Sequence, residues 1–119
     1  MKVLFDTNIL IDYLAGIEAA REEFDRHRQR LISIVTWMEC LAGARGADEE
    51  DVIELFLRDF TVVALSRPIA RDAVHLRRAQ RLRLPDAIIW ATARAESALI
   101  VTRNTKDFPA DDPGVRIPY

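Results

Sequence analysis

The sequence predicts an α/β domain built on an open parallel β-sheet with helices packed on both of its faces. Short apolar, β-branched runs alternate with longer segments of helical periodicity. The apolar runs lack the polar alternation that marks a strand with one face in water. No Asn-Gly or similar hairpin signal joins neighbouring strands, so the intervening helices must supply the crossovers, which are expected to be right-handed.

The first part of the chain predicts one strand and two helices. Residues 2–5 are an apolar run that ends at Asp6 and indicate a strand covered on both faces. Apolar residues recur at helical spacing over residues 9–14, and Gly16 is a suitable end for that helix. Residues 18–30 are strongly charged with few apolar positions, which indicates an exposed helix.

The next part predicts a second strand and two more helices. Residues 31–35 form the strand, and Thr36 is predicted to open a helix that Gly43 and Gly46 end. Residues 48–59 follow as a further helix. Its apolar positions cover more than one face between residues 52 and 57, so part of that surface is expected to meet another chain.

A third strand and a long basic helix come next. Residues 60–65 are predicted as the strand, and Ser66 as the cap of an arginine-rich helix that reaches about Leu84. Pro85 interrupts the helical pattern there because proline lacks the backbone donor that a helix interior needs.

The remaining segments predict a buried helix and two strands. Residues 86–97 leave almost no polar face, so this helix should lie centrally in the core. Residues 98–102 are predicted as the fourth strand and residues 115–117 as a short fifth strand at an edge. The sequence Asp-Asp-Pro-Gly between them is a strong turn signal.

Length and composition narrow the class of protein. With 119 residues, half of them hydrophobic, the chain can bury one core, and we expect a single domain over residues 1–119. A net charge of −2 disfavours coating of nucleic acid or membrane by bulk charge. A single cysteine, an early charged residue and no long apolar run predict a cytoplasmic protein without a disulfide, secretory signal or membrane span.

Polar side chains cluster where the predicted strands end. Each has a structural explanation: Asp6 as a helix cap, Glu39 in a Thr-x-x-Glu capping box, Asp86 at a helix start and Asn104 in an Asx turn. The carboxyl ends of parallel strands meet at one edge of a sheet, so these residues should also converge there. Converging carboxylates repel one another unless a cation lies between them.

A divalent cation is the natural partner of such a cluster. Oxygen ligands without cysteine or paired histidine favour Mg²⁺ or Mn²⁺, which complete their shells with water and phosphate oxygens. That chemistry is typical of phosphodiester hydrolysis by metal-activated water. His27 and His75 show no companion acid at catalytic spacing and are expected to be surface or packing residues.

The chain resembles the PIN-domain ribonucleases, and closely the VapC toxins of VapBC toxin-antitoxin systems. The matching motifs are Val-Leu-Phe-Asp-Thr-Asn ending at Asn8, Glu39 after the second strand, Leu-Pro-Asp-Ala around Asp86, and Val-Thr-Arg-Asn-Thr-Lys-Asp-Phe ending at Phe108. The resemblance covers essentially the whole chain. It implies a strand order of 3-2-1-4-5 and endonucleolytic cleavage of RNA that depends on Mg²⁺ or Mn²⁺.

The resemblance also implies roles for individual residues. Asp6 and Asp86 become the principal metal ligands, and Glu39 a third acid that binds the metal directly or through water. Thr7 and Thr102 support the site by hydrogen bonding. The fourth acidic position of the family falls on Asn104, while Asp107 lies three residues later, so either residue completes the site and one or two metals remain open.

Partners follow from the same resemblance. It implies an RNA substrate, a homodimer and an antitoxin that binds around residues 18–59. Arg103 and Lys106 lie beside the proposed site and are candidates for contact with RNA phosphates. The arginines of the long basic helix are a weaker candidate, because a solvated face is the more common explanation of such a helix.

Two other functions compete with hydrolysis. A phosphoacceptor receiver domain also places acids at the edge of a five-stranded parallel sheet, but it needs an aspartate after the third strand, where this chain has Ala64, Leu65 and Ser66. A binding protein that has lost catalysis would keep the fold and explain Asn104. Retention of Asp6, Glu39 and Asp86 argues against that alternative.

Overall fold

The computed structural model describes all 119 residues and contains a five-stranded, all-parallel sheet with the order β3-β2-β1-β4-β5. The strands are β1 (Lys2–Phe5), β2 (Gln29–Ser33), β3 (Thr61–Val63), β4 (Leu99–Val101) and β5 (Val115–Arg116). The helices are α1 (Thr7–Leu14), α2 (Glu18–Arg26), α3 (Ile34–Ala42), α4 (Ala47–Leu57), α5 (Arg67–Gln80) and α6 (Leu84–Ala95). The predicted fold class and strand order are confirmed.

Two apolar cores lie on opposite faces of the sheet. Val3 and Phe5 of β1 point into a core shared with α1 to α4, whereas Leu4 points into a core shared with α5 and α6. All three side chains are at most 1% exposed, and burial of each contributes roughly 1.5–3 kcal/mol. The lack of polar alternation in β1 therefore reflects helices on both sides.

Helix α6 is central, as its composition predicts. Seven of its twelve residues are buried, including Asp86 in its first turn. Alanines at several of these positions let the helix lie close to the sheet and to α5. Asp86 is thereby fixed at the carboxyl edge of the sheet with little freedom to move.

The second strand and the helix after it begin earlier than predicted. β2 starts at Gln29 because its backbone pairs with Lys2 of β1, although its first residues are polar. The chain enters α3 at Ile34, and the hydroxyl of Ser33 accepts a hydrogen bond from the Val35 amide at 3.1 Å. The prediction that Thr36 opens this helix is therefore wrong.

The long basic helix is shorter than predicted and ends at Gln80 rather than near Leu84. Arg81 takes a left-handed conformation with φ of +56°, which stops the helix, and only three residues separate α5 from α6. Glycine usually occupies such a stop, so an arginine there gives no sequence signal. Asp72 of α5 pairs with Arg94 of α6 at 3.1 Å, which shows that the two helices run antiparallel.

A buried glutamate ties α2 to the edge of the sheet. Arg116 of β5 donates two hydrogen bonds to Glu23, at 2.6 and 2.8 Å, and His27 lies 2.7 Å from the same carboxylate. Although burial alone would raise the pKa of Glu23, these hydrogen bonds hold that pKa below its usual value. The expectation that His27 has no companion acid is therefore wrong, and the ring packs against Phe5.

No helix of the chain has the length and apolar character needed to cross a membrane.

Candidate active site

Asp6 is the centre of the site. It follows β1 and caps α1, with one carboxylate oxygen accepting a hydrogen bond from the Thr7 amide at 2.8 Å. The other oxygen accepts from the Thr102 hydroxyl at 2.7 Å and from the Asn8 side-chain amide at 3.1 Å. The residue is 4% exposed. Asp6 is thus both a helix cap and a buried, rigidly oriented carboxylate.

The acids of the site lie within one another's electrostatic field. Burial raises the pKa of Asp6 to about 6, hydrogen bonds from Thr102 and Thr7 oppose that rise, and repulsion from Asp86 and Glu39 adds to it. Burial likewise raises the pKa of Asp86, the charge and hydrogen bond of Arg83 oppose that rise, and repulsion from Asp107 and Glu39 adds to it. The carboxylates of the site, which are those of Asp6, Glu39, Asp86 and Asp107, therefore interact.

Glu39 joins the site through two threonines. Its Oε1 atom lies 2.7 Å from the Thr7 hydroxyl, which in turn lies 3.0 Å from the Thr36 hydroxyl. A hydroxyl has one proton, so Thr7 donates to the carboxylate and accepts from Thr36. Thr36 is fully buried and lies inside α3, so it does not form the capping box with Glu39 that the sequence allows.

Asn104 and Asp107 form a closed pair in the loop after β4. The Asn104 side-chain amide donates to Asp107 Oδ2 at 2.9 Å, and the Asp107 backbone amide donates back to Asn104 Oδ1 at 3.2 Å. The Thr102 hydroxyl also accepts from the Asn104 backbone amide at 2.9 Å. Asn104 therefore shapes the loop, and Asp107 is the residue of this pair whose charge reaches Asp86.

Two residues of the site escaped the sequence analysis. Arg83 precedes α6, and its Nε lies 3.2 Å from Asp86 Oδ2, which puts a cation against one acid. Asn8 donates to Asp6 and to Thr102, and accepts from the Arg103 backbone amide at 3.3 Å. The position of Arg83 three residues before Asp86 is the signal that could have found the first contact.

Arg103 and Lys106, the candidates for phosphate contact, differ in their surroundings. The Arg103 guanidinium donates to both carboxylate oxygens of Asp12 on α1, at 2.5 and 3.1 Å. The hydroxyl of Tyr119 donates to the same aspartate at 2.8 Å. Lys106 is exposed and forms no ion pair, so its charge is free to meet a ligand.

The donor set fits a magnesium-type ion that keeps much of its water. No three histidine, cysteine, aspartate or glutamate side chains lie close enough together to hold a metal ion jointly, so the structure does not assemble Asp6, Glu39 and Asp86 as a set of three direct ligands. A carboxylate offers about four acceptor positions, and Asp6 uses three, which leaves one on Oδ1. Asp86 Oδ1 accepts no hydrogen bond. Mg²⁺ commonly takes only one or two carboxylates, and these are the two free oxygens that the site offers it.

An apolar groove of about 400 Å³ opens beside the acids. Its walls come from α1, α3 and α4, and Glu39 lies at one side of it. Ile11 and Val52 line it and are 52% and 64% exposed, and Leu55 nearby on α4 is 63% exposed. The apolar surface predicted between residues 52 and 57 is thus present.

Comparisons with known proteins identify a family for this chain. A family model described as PIN domain matches residues 3–110. Ribonuclease VapC10 of Mycobacterium tuberculosis is 33% identical over 115 residues, which cover 90% of this chain and 86% of the relative. A toxin-antitoxin complex from Klebsiella pneumoniae contains a chain that is 44% identical, with a TM-score of 0.92 and coverage of 99% of this chain and 98% of that chain.

A further structure supports the same assignment. A DNA-bound VapBC complex from Salmonella typhimurium contains a chain that is 25% identical, with a TM-score of 0.80 and coverage of 98% of this chain and 96% of that chain. The family model spans the acids gathered around Asp6, and the curated relative matches most of the chain. The chain therefore belongs to the PIN-domain family, in its VapC-type branch.

Proposed function

We propose that this chain, acting as one domain over residues 1–119, is a metal-dependent endoribonuclease and the toxin of a type II toxin-antitoxin system. The observation that carries the proposal is the buried Asp6 carboxylate, fixed by three hydrogen bonds and repelled by Asp86 and Glu39. Such an arrangement is unfavourable for folding and useful for binding a cation. The similarity to Ribonuclease VapC10 gives the reaction class.

Asp6 and Asp86 are the ligands that would hold Mg²⁺ or Mn²⁺. Such an ion, when bound, lowers the pKa of a water and stabilises charge on a phosphate oxygen. Glu39 would act on the ion through one of its waters, with Thr7 fixing the position of the carboxylate. Thr102 orients Asp6 through its hydroxyl.

For the fourth acidic position we propose Asp107, with Asn104 as the residue that positions it. The side-chain nitrogen of Asn104 donates to the Asp107 carboxylate, and its side-chain oxygen accepts from the Asp107 backbone amide. Neither atom is therefore directed at Asp86. Lys106, which has no ion pair, is the stronger candidate for contact with an RNA phosphate. Arg103 would have to leave Asp12 to make one.

The partner that we propose for the apolar groove is the cognate antitoxin. The Klebsiella pneumoniae structure is a toxin-antitoxin complex, which supports a protein partner for a chain of this shape. The groove includes α3 and α4, within the expected range 18–59, and also Ile11 and Leu14 of α1, which lie outside it. A homodimer remains part of the proposal through the resemblance to the family.

Cleavage of RNA by the purified protein tests the function. We expect discrete cuts in total RNA with Mn²⁺, and their loss with EDTA or in Asp6→Asn. Asp25→Asn is the matched control, because it removes one exposed carboxylate of α2 away from the site. Cuts that persist unchanged in EDTA and in Asp6→Asn would overturn the mechanism.

Manganese titration separates the enzyme from a binding protein that has lost catalysis. The enzyme should bind Mn²⁺ with an affinity that Asp6→Asn weakens and Asp25→Asn leaves unchanged. A protein that only binds its partner should show no difference among the three proteins.

A further inference from the structure

The positive charge of this acidic chain is concentrated in one segment. Residues 66–83 contain six arginines and one aspartate, a balance of +5, whereas the whole chain has a net charge of −2. The remainder of the chain therefore carries −7. The single aspartate of the segment, Asp72, is paired with Arg94 of α6 and does not neutralise the arginines.

Four of the basic side chains form a continuous stripe along α5. Arg67, Arg71, His75 and Arg78 recur at intervals of four, four and three residues, so they fall within an arc of about 80° on the helix. All four are exposed, and none takes part in an ion pair. We call this surface the basic stripe. It lies opposite the face of α5 that packs into the core.

Part of the basic stripe is concave rather than a convex helix surface. A recess of about 380 Å³ lies at its amino-terminal half, lined by Arg67, Pro68, Arg71, Asp72 and His75. No hydrophobic side chain other than the proline ring lines it. Its shape and charge suit a phosphate group better than an apolar ligand.

The carboxyl-terminal end of the basic stripe lies close in the chain to the acidic site. Helix α5 ends three residues before α6 begins, and the first turn of α6 carries Asp86. Arg83, in this link, is in contact with that aspartate. The stripe spans eleven residues from Arg67 to Arg78, or about 16 Å at the rise of an α-helix. A stacked strand advances about 3.4 Å per phosphate, so that length corresponds to about five nucleotides.

We propose that the basic stripe binds the sugar-phosphate backbone of RNA outside the cleaved bond, without reading its sequence. The inference rests on the proposed ribonuclease function and names a substrate surface for it. A solvated face usually mixes both signs of charge, whereas the four side chains of this stripe are all basic and the one aspartate beside them is paired with Arg94. Backbone contacts of this kind supply affinity and orientation, and base contacts supply specificity.

Binding of a labelled single-stranded RNA in EDTA tests the inference without cleavage. The variant R67Q/R71Q/R78Q removes three charges of the stripe. Its control, R28Q/R45Q/R58Q, removes three exposed arginines that form no ion pair elsewhere in the chain, so both variants have the same net charge. Fluorescence anisotropy is measured over a range of salt concentrations, and urea unfolding checks that both variants remain folded.

We expect the stripe variant to lose at least about tenfold in affinity for RNA at low salt. The slope of log affinity against log salt should become shallower by roughly two, because each of the three lost phosphate contacts contributes about 0.7. The control should stay close to the original protein. Equal losses in the two variants would show an effect of bulk charge and overturn the inference. An unchanged affinity would also overturn the inference. So would a change confined to self-association, measured by sedimentation, because the stripe would then bind the acidic surface of a second copy of the chain.

Cleavage in Mn²⁺ separates this inference from the function on which it rests. If the original protein cleaves RNA and the stripe variant binds it equally well, the stripe proposal fails alone. If the original protein binds RNA through the stripe but never cleaves it, the ribonuclease proposal fails alone.

Discussion

Replacing Asp6 by asparagine should make the metal-free protein more stable at neutral pH, although it removes the central residue of the site. Asparagine has almost the same shape and no charge. The native pKa of Asp6 is about 6, against an ordinary value of 3.8. A difference of about two units corresponds to about 3 kcal/mol of stability that the charged form costs the fold.

The pH at which this cost appears follows from linkage. Between about pH 4 and pH 6 the folded chain binds the Asp6 proton more tightly than the unfolded chain does, so the free energy of unfolding falls as the pH rises through that window. Asparagine has no such dependence. The side-chain N–H group of the new asparagine does face the side-chain N–H group of Asn8, so one hydrogen bond is lost. That loss lowers the free energy of unfolding by about 1–2 kcal/mol at every pH. The net gain above about pH 7 is therefore about 1–2 kcal/mol.

Urea unfolding in EDTA at about pH 4 and about pH 7.5 measures the effect. The difference in unfolding free energy between Asp6→Asn and the original protein should rise by about 2–3 kcal/mol between the two conditions, because the unfolded carboxyl is already partly ionised at about pH 4. Asp25→Asn should show no such rise, because its carboxylate is exposed. Adding Mn²⁺ at about a hundred times its Kd should then stabilise only the proteins that keep Asp6, by about 2.7 kcal/mol. Parallel pH profiles for Asp6→Asn and the original protein would refute the reasoning.

Three further substitutions test other contacts of the structure. Thr102→Val should lower the free energy of unfolding by about 1–3 kcal/mol in urea and weaken Mn²⁺ binding, because Asp6 and the Asn104 amide each lose a partner. Arg83→Gln should lower the Kd for Mn²⁺ about two- to fivefold in low-salt calorimetry, since it removes an exposed competing cation from Asp86, and an unchanged Kd would exclude that competition. Glu23→Gln should lower the free energy of unfolding in urea by about 1–3 kcal/mol, because it removes the buried anion that accepts two hydrogen bonds from the half-buried Arg116, and a loss no larger than that of an exposed Glu→Gln variant would contradict it.

The parallel sheet could be anticipated because the strands of this chain are local and uniform in character, whereas the strand order came only from the resemblance to the PIN-domain family. Each apolar run could be recognised without knowledge of its neighbours, and the helices between runs force parallel pairing. The helix boundaries could not be anticipated as well. Ile34 and Val35 have the side chains of a strand, and only the burial of Thr36 and the cap at Ser33 place them in α3.

Some residues of the candidate site could likewise be placed from the sequence, and others could not. Asp6 and Asp86 could be placed because each begins a helix at the carboxyl edge of a parallel sheet, a position set by topology. The contact of Arg83 with Asp86 depends instead on the side-chain rotamer and on the left-handed turn at Arg81. The choice between Asn104 and Asp107 depends on which side chain closes the loop, which their spacing alone does not determine.

The hydroxyls of Thr36 and Thr7 and the Glu39 carboxylate form a row of hydrogen bonds that joins α3 to α1. Each hydroxyl has one hydrogen, so Thr36 donates to Thr7 and Thr7 donates to Glu39. Removing the Thr7 hydroxyl alone would therefore leave both the buried Thr36 hydroxyl and the Glu39 carboxylate without a partner. X-ray maps at ordinary resolution show only the oxygens of this row, whereas neutron diffraction, which locates deuterium, would show the direction of each hydrogen bond.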